Sequence, residues 1–466
     1  MSKPMHSDIR FTNFTYDENK YYFLFITEIK AFGIGNFAKE AISKIYHIDK
    51  ANIECITIVP DVFDNYNFEN IIVVNKIKDR ENKRKSNDLF MRDVSNSEYI
   101  NDLTDTILRK QKELFIYMFE SNRHMTLDQK SGIRVIGPDE KIVSLLSNKI
   151  ALYEIFSNIV PMAPYEIANG FEELTKKSAL LLKSFEDNNG IFISLEKSAA
   201  GVNSLIAKDI DSITQKFGKN KDDQFLITKF IPHVCDPTTL CVAINEEDIY
   251  VAGIADQTID GTKFKGSAFP SRVSLSVKEE IIRQTREIGK KMAKLGYRGI
   301  FGCDFIVTDK DEVFFIETNP RKQGTTMEFC CTLNCILPEN APNLPEIEFY
   351  AVTQNKKAPN MIEPDFNNQD IFWETYNYKL EATSKTNSGL VHRSDELEIF
   401  KKIMENQIDK EHMILEHVGQ NFIVNKGSFL ARVVALGKNF KDINHGIAIG
   451  KEMISSTIDR SIDCPN

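Results

Sequence analysis

Residues 311–326 read DEVFFIETNPRKQGTT. Val313 to Ile316 is an unbroken apolar and aromatic run, the composition of a buried strand. It leads directly into Glu317, Asn319 and Arg321, spaced two residues apart. Alternate side chains of a strand share a face, so these three project together while Thr318 and Pro320 take the other side. Just upstream, FGCDFIV sets Asp304 among apolar residues, and the polar turn TDKDE joins the two segments. A hairpin is therefore expected, with Asp304 and Glu317 on adjacent strands. Two carboxylates and an amide oxygen are hard donors, the set that Mg²⁺ takes alongside substrate phosphates. Without a cation, two buried carboxylates would be costly.

The surrounding chain is compatible with a folded, multi-domain protein. It has 466 residues, 42% hydrophobic and 27% charged, an ordinary globular balance. The net charge of -9 argues against a general binder of nucleic acid or anionic membrane, while leaving room for a local basic phosphate pocket. No apolar run approaches a membrane-spanning length. The first twenty residues, MSKPMHSDIRFTNFTYDENK, lack the apolar centre of a signal peptide, so a cytoplasmic location is expected. Cys330, Cys331 and Cys335 cluster in CCTLNC, but no second pair stands at zinc-site spacing, which makes them reduced core thiols.

Three regions follow from the periodicity. Residues 1–137 alternate strand-type and helix-type segments, from YYFLFITEIKAFGIGNFAKEAISKIY through IECITIVPD, ELFIYMFES and IRVIGP, which predicts an open α/β domain. Lys76 to Asn96, rich in charge, Asn and Ser, reads as a mobile loop. Residues 138–337 begin with one helix, started by Asp139, and continue through strand pairs joined by polar turns, an α+β pattern. Within them, SVKEEIIRQTREIGKKMAKLGY reads as a helix with a Ser276/Glu279 capping box and a stop at Gly296. Residues 338–466 form a third, α+β region that closes with GSFLARVVALGKNFKDINHGIAIGKEMISSTI, a strand and a helix.

The stretch GYRGIFGCDFIVTDKDEVFFIETNPRKQGTT resembles the C-terminal core of the ATP-grasp superfamily, in which a strand-borne acid followed by Glu-x-Asn-x-Arg holds magnesium and the triphosphate. The resemblance covers about residues 138–326. It implies an ATP-grasp fold of mixed α/β and α+β class, with an N-terminal open α/β (pre-ATP-grasp) domain at 1–137. The core would span 138–337, with a mobile lid at 150–235, and an extra C-terminal α+β domain would span 338–466. By the same resemblance Asp304, Glu317 and Asn319 are metal ligands, for a pair of Mg²⁺ ions or, alternatively, Mn²⁺. Arg321 would act on the transferred phosphoryl group, and Arg298 would anchor a substrate carboxylate, with Arg272 a second candidate. Lys149 and Lys197, with Ser198 and Gly201, would cradle the phosphates of ATP. Gly201 is the single glycine in a loop that is usually rich in them. Lys229, Phe230 and Ile231 in FLITKFIP would meet adenine, while Gln323 and Thr325 stand where the acceptor or acyl end binds.

The implied activity is an ADP-forming ligase. It would join a small-molecule carboxylate to an amine, of amino-acid or peptide type, through an acyl-phosphate, with a homodimer as the expected assembly. Two alternatives share the motif. One is a biotin-carboxylase-like enzyme using bicarbonate, prompted by the Glu-x-Asn-x-Arg-x-Gln order, although no Ala-Met-Lys-Met acceptor is present. The other is a non-catalytic nucleotide-binding subunit. A dinucleotide-binding reading of GIGNFA at residues 33–38, with Asp61 as ribose acid, rests on one short glycine pattern and leaves the acidic cluster unexplained.

Overall fold

The computed structural model describes residues 8–60, 68–74, 86–184, 189–197, 203–261, 263–367, 370–390 and 395–459. No helix among them is long and apolar enough to cross a membrane.

The first region is built on a six-stranded sheet, ordered Phe11–Asn13, Ile71–Val73, Ile53–Val59, Tyr21–Ile26, Leu114–Met118, Ile133–Ile136. All neighbours are parallel except the first pair. The continuous apolar runs fit this arrangement because both faces of the sheet are covered. Phe23 and Phe25 pack into one core cluster, Tyr22, Leu24 and Ile26 into another. Gly33 precedes the Ile34–Tyr46 helix, where a Cβ would stand 2.5 Å from the Met327 methyl carbon. A Cβ at Gly35 would stand 2.9 Å from the Cys55 Sγ. Both glycines thus serve close packing. Asp61 lies outside the described residues. Of the segment expected to be a loop, Asn87–Asn96 is a helix, capped by Ser86, whose Oγ accepts from the Leu89 amide; 75–85 lie outside the described residues.

A four-stranded antiparallel sheet, ordered Tyr165–Asn169, Gln224–Lys229, Ile191–Leu195, Ser204–Ala207, lies between the first region and the rest in sequence. The helices Gly170–Ser184 and Ile210–Phe217 pack on it around Phe217 and Phe225. It faces an eight-stranded antiparallel sheet, ordered Val313–Asn319, Gly299–Val307, Pro237–Ala243, Ile249–Asp260, Lys263–Phe269, Phe372–Lys379, Phe429–Gly437, Lys410–Leu415. The third region therefore has its main strands in the same sheet as the second. Trp373, fully buried, stacks on Phe269 at 5.3 Å across the junction. A small three-stranded sheet and the Phe440–Ser456 helix complete this end.

The long helix is Leu275–Lys294 with Ser274 at its N-cap, two positions earlier than the Ser276/Glu279 box requires. Ser274 and Ser276 contact each other through their hydroxyls at 3.2 Å. The helix ends, as expected, before Gly296, whose φ of +97° is left-handed. The expected single helix after Asp139 is two, Glu140–Leu146 and Lys149–Phe156. Asn148 causes the break. Its side-chain oxygen accepts from the amides of Ile150 and Ala151 and so caps a new helix start.

Candidate active site

The hairpin read from the sequence is present, with Asp304 directly opposite Glu317. One feature departs from strict alternation. A bulge sets Phe305 opposite Phe315, leaving Ile316 as the extra residue. Bulges re-aim side chains beside functional sites, and here both Ile316 and Glu317 line one cavity. The strand ends at Asn319, and Arg321 lies in the turn beyond, its amide donating to the Asn319 carbonyl at 2.8 Å. On the other face, the Thr318 hydroxyl donates to the Leu146 carbonyl at 3.3 Å, tying this strand to the helix that precedes Lys149.

The acidic centre is tightly organised. Asp304 accepts from the Thr238 hydroxyl at 2.7 Å and from the Asn319 amide nitrogen at 2.9 Å. Thr238 is its cross-strand neighbour in the sheet. Burial, followed by the nearby Glu317, pushes the Asp304 carboxyl up to about 6. Glu317 is paired to the Lys149 ammonium. Lys149 is the first residue of the new helix, and its amide donates to the Glu196 carbonyl at 2.8 Å. Arg321 donates to the Asn319 side-chain oxygen at 3.2 Å and lies 3.8 Å from Glu120 of the first region. The next residue, Lys322, is fully buried. It pairs with Glu348 at 2.7 Å, donates to the Met118 carbonyl at 2.7 Å, and sits 4.0 Å over the Tyr117 ring. This buried pair fixes the turn that carries Arg321 against the first region.

Two cavities meet at Asp304 and Glu317. The larger lies between the four-stranded and eight-stranded sheets. Phe192, Leu226, Phe230, Ile231, Phe305 and Ile306 give it apolar walls, and Lys149 stands at the carboxylates. His233, 3.1 Å from Asp236, also lines it; that contact raises the His233 pKa. The smaller cavity is polar. It is bounded by Thr238, Ser267, Arg321, Gln323, Thr325 and Arg432.

The candidates sort accordingly. Asp304, Glu317, Asn319, Arg321 and Lys149 converge, and Lys229, Phe230 and Ile231 line the larger cavity. The amides of Lys229 and Phe230 are engaged with the Pro164 and Gly190 carbonyls at 2.9 and 3.2 Å. Lys197 is not brought to the site. It follows the Ile191–Leu195 strand, is exposed, and is absent from both cavity walls, while Ser194 of the strand lines the larger one. Ser194 is fully buried and its hydroxyl has no hydrogen-bond partner among the described residues. Ser198 and Gly201 lie outside the described residues. Arg298 immediately precedes the Asp304 strand and lines neither cavity. There it donates to the Ala293 and Tyr297 carbonyls, both at 2.7 Å, and to the Asn355 side chain, locking a helix end. Arg272 lies 4.2 Å over the Phe440 ring, also away from both cavities.

Sequence reasoning missed Thr238, Ser194 and Arg432. Arg432 in FLARVVAL carries the same signal that exposed Asp304, one charge inside an apolar strand. It is 3% exposed and reaches the site from the third region.

Comparison with known proteins gives the class. Residues 146–325 match the ATP-grasp domain family. The chain thus carries an ATP-grasp domain over that part of its length. It is similar to an L-propargylglycine–L-glutamate ligase of Streptantibioticus cattleyicolor, 29% identical over 21% of this chain and 20% of that one. It is also similar to a formate-dependent phosphoribosylglycinamide formyltransferase of Sulfurovum, 26% identical over 43% of this chain and 50% of the relative. The matches therefore span a fifth and a half of those proteins. In fold it is similar to the biotin carboxylase of Campylobacter jejuni, with a TM-score of 0.60 over 95% of this chain and 92% of the other at 12% identity.

Proposed function

We infer that the protein is an ATP-dependent ligase that joins a carboxylate to an amine, with amino-acid or peptide substrates. The observation that carries this reading is the meeting of two cavities, one apolar and one ionic, at a single pair of carboxylates. The apolar cavity suits a purine, whose edge would face the backbone of Phe230 and Ile231. The Lys229 and Phe230 amides are engaged and the Ile231 carbonyl lies 2.8 Å from the His233 Nδ1, so the Phe230 carbonyl and the Ile231 amide would meet it. Lys149 would draw the triphosphate toward Asp304 and Glu317.

The residues at the junction fit a divalent cation. Two adjoining carboxylates and the Asn319 oxygen form a hard donor set, and burial that opposes ionisation of Asp304 is relieved by bound positive charge. Asp304, Glu317 and Asn319 would hold Mg²⁺, which when bound neutralises phosphate charge. The chain's own groups do the rest. Thr238 orients Asp304, and Arg321 stands where the transferred phosphoryl group would cross between the cavities. The γ-phosphoryl group passes to a carboxylate oxygen, with cleavage of the β–γ linkage and release of ADP. The amine nitrogen then bonds to the acyl carbon, phosphate leaves with the C–O bonding pair, and the amine gives up a proton. The two-sheet enclosure excludes water that would hydrolyse the acyl-phosphate.

Phosphate release from ATP and Mg²⁺, screened over pairs of amino acids and dicarboxylates with mass spectrometry of products, tests this reading. A bicarbonate and free biotin arm is included. ADP, phosphate and an amide product are expected. ADP formation that needs bicarbonate and yields carboxybiotin would replace the amide reading.

A further inference from the structure

The hairpin that carries Asp304 and Glu317 is held at its open end by a buried ion pair that lines neither cavity. Gly302 stands opposite Asn319, so Ile300 and Lys322 continue the two strands past that pairing. Glu348, from the Leu344–Gln354 helix, reaches both. Its Oε1 accepts from the Ile300 amide at 3.1 Å, and its Oε2 lies 2.7 Å from the Lys322 Nζ. Gly299, at a left-handed φ of +125°, leaves room for this carboxylate, since a Cβ there would stand 3.0 Å from Oε1. The side chains of the pair are 1% and 0% exposed. Lys322 is also tied to the first region. Its Nζ donates to the Met118 carbonyl at 2.7 Å, and its amide donates to the Phe119 carbonyl at 3.1 Å.

Such a pair is a poor source of stability. Both charges lose their hydration, and burial pushes the Lys322 ammonium below its ordinary pKa while Glu348 opposes that shift. Apolar side chains of similar volume would fill the same space at no greater cost. What they cannot supply is direction, because a hydrogen bond fixes both the distance and the angle of its partners. The element fixed here is the turn that bears Arg321. The Arg321 Nη1 donates to the Lys322 carbonyl at 3.2 Å, and Nη2 donates to the Asn319 side-chain oxygen at 3.2 Å. The backbone of Lys322 is thus one of the supports of the guanidinium. Arg321 and Gln323 line the smaller cavity, and Lys322 between them points away from it.

Resting on the ligase reading, we propose that Lys322 and Glu348 are positioning residues for phosphoryl transfer, which hold the Arg321 guanidinium in register with the acidic hairpin without touching substrate. Loss of the pair frees the turn to drift, while Asp304, Glu317 and Lys149 keep their own contacts. The effect falls on kcat, because the displaced group serves the transferred phosphoryl group. A misplacement of about an ångström there costs on the order of a hundredfold in rate. The apolar slot for the purine lies on the far side of the carboxylates and is unaffected.

The test is a double-mutant cycle on the full-length chain, read as kcat and KM for ADP formation with a productive substrate pair. Lys322→Met with Glu348→Gln removes both charges at nearly constant volume. Its kcat is expected to fall about 10- to 100-fold, with the KM for ATP held within about twofold. In an Arg321→Ala background the same two substitutions should lower the residual kcat by less than about twofold, because the group they position is gone. An equal fall with and without Arg321 would overturn the proposal, since a merely structural pair acts whatever stands at position 321. So would an unchanged kcat in the charge-free variant. Should that variant fail to fold, Glu348→Gln alone carries the same cycle, as it keeps an oxygen for the Ile300 amide. Failure of both to fold would also overturn the proposal, because the pair would then serve the fold alone. Arg321→Ala with wild-type turnover would remove the positioning role and leave the ligase reading standing. Absence of ADP formation by the wild type with every substrate pair would overturn the ligase reading, and the proposal with it.

Discussion

The two cavities that meet at Asp304 and Glu317 are built on opposite principles. The larger is walled by Phe192, Leu226, Phe230, Phe305 and Ile306, drawn from two separate sheets. The smaller is ringed by Arg321, Gln323, Thr325 and Arg432, and most of it belongs to one sheet and the turn that follows its edge strand. An apolar slot between sheets tolerates relative movement, since burial is non-directional. An ionic corner does not, because each hydrogen bond there needs a fixed partner. On the proposed reading, nucleotide capture would fall to the softer half of the site and substrate selection to the stiffer.

Removing the shared element should abolish the function of both cavities. Glu317→Gln keeps the shape, loses one negative donor and frees Lys149. Turnover is expected to fall by about a thousandfold or more, with the thermal midpoint nearly unchanged. Wild-type turnover in that variant would break the comparison at its centre. Damage confined to the ionic half should leave the apolar half intact. Gly302→Ala drives a methyl group into the Gln323 amide. It should cost about 1–3 kcal/mol in stability and raise the KM of the carboxylate substrate while ATP affinity is retained. Calorimetric titration of ATP beside substrate kinetics separates the two effects.

The proton on Asp304 gives a smaller, graded effect. Its folded-state pKa, about 6, lies above the ordinary carboxylate value. The folded chain therefore binds more protons than the unfolded chain between about pH 4 and 6. In the metal-free protein this group withdraws stability as pH rises through that window. Mg²⁺, competing with the proton, should raise the melting midpoint by more at pH 7.5 than at pH 5. An equal shift at both values would remove Asp304 from the metal-binding set. The smallest change is expected from Lys197→Ala, since that side chain is exposed and outside both cavities. Nucleotide affinity should shift less than about twofold. A loss of tenfold or more would mean that Lys197 joins the phosphates after all.

The acidic centre was legible because its signal is local. A charged residue interrupting an apolar run, repeated on two strands joined by a short polar turn, admits few other arrangements, and Asp304, Glu317 and Asn319 stand as that pattern requires. Lys149 was found, but its setting was not. The helix break at Asn148 depends on a side-chain cap competing with a sequence that could equally continue one helix. Arg298 looked equivalent to Arg321 in sequence, since both adjoin the strands of the acidic hairpin. They lie at the same end of that hairpin, and only the folded structure shows that the Arg298 guanidinium is turned to the Ala293 and Tyr297 carbonyls instead of the carboxylates. Arg432 was out of reach for another reason. It stands 111 positions beyond Arg321 in the numbering, and nothing short of the strand order brings them together.

That strand order has a practical corollary for anyone who would trim or graft this protein. Cutting the chain ahead of Phe372 would unpair Ala268 and Phe269 at the end of the Lys263–Phe269 strand and strip the indole of Trp373 from Phe269. A freshly unpaired strand end of that kind invites aggregation. Shuffling experiments that treat the final hundred residues as a detachable cassette should instead exchange them together with the hairpin they abut.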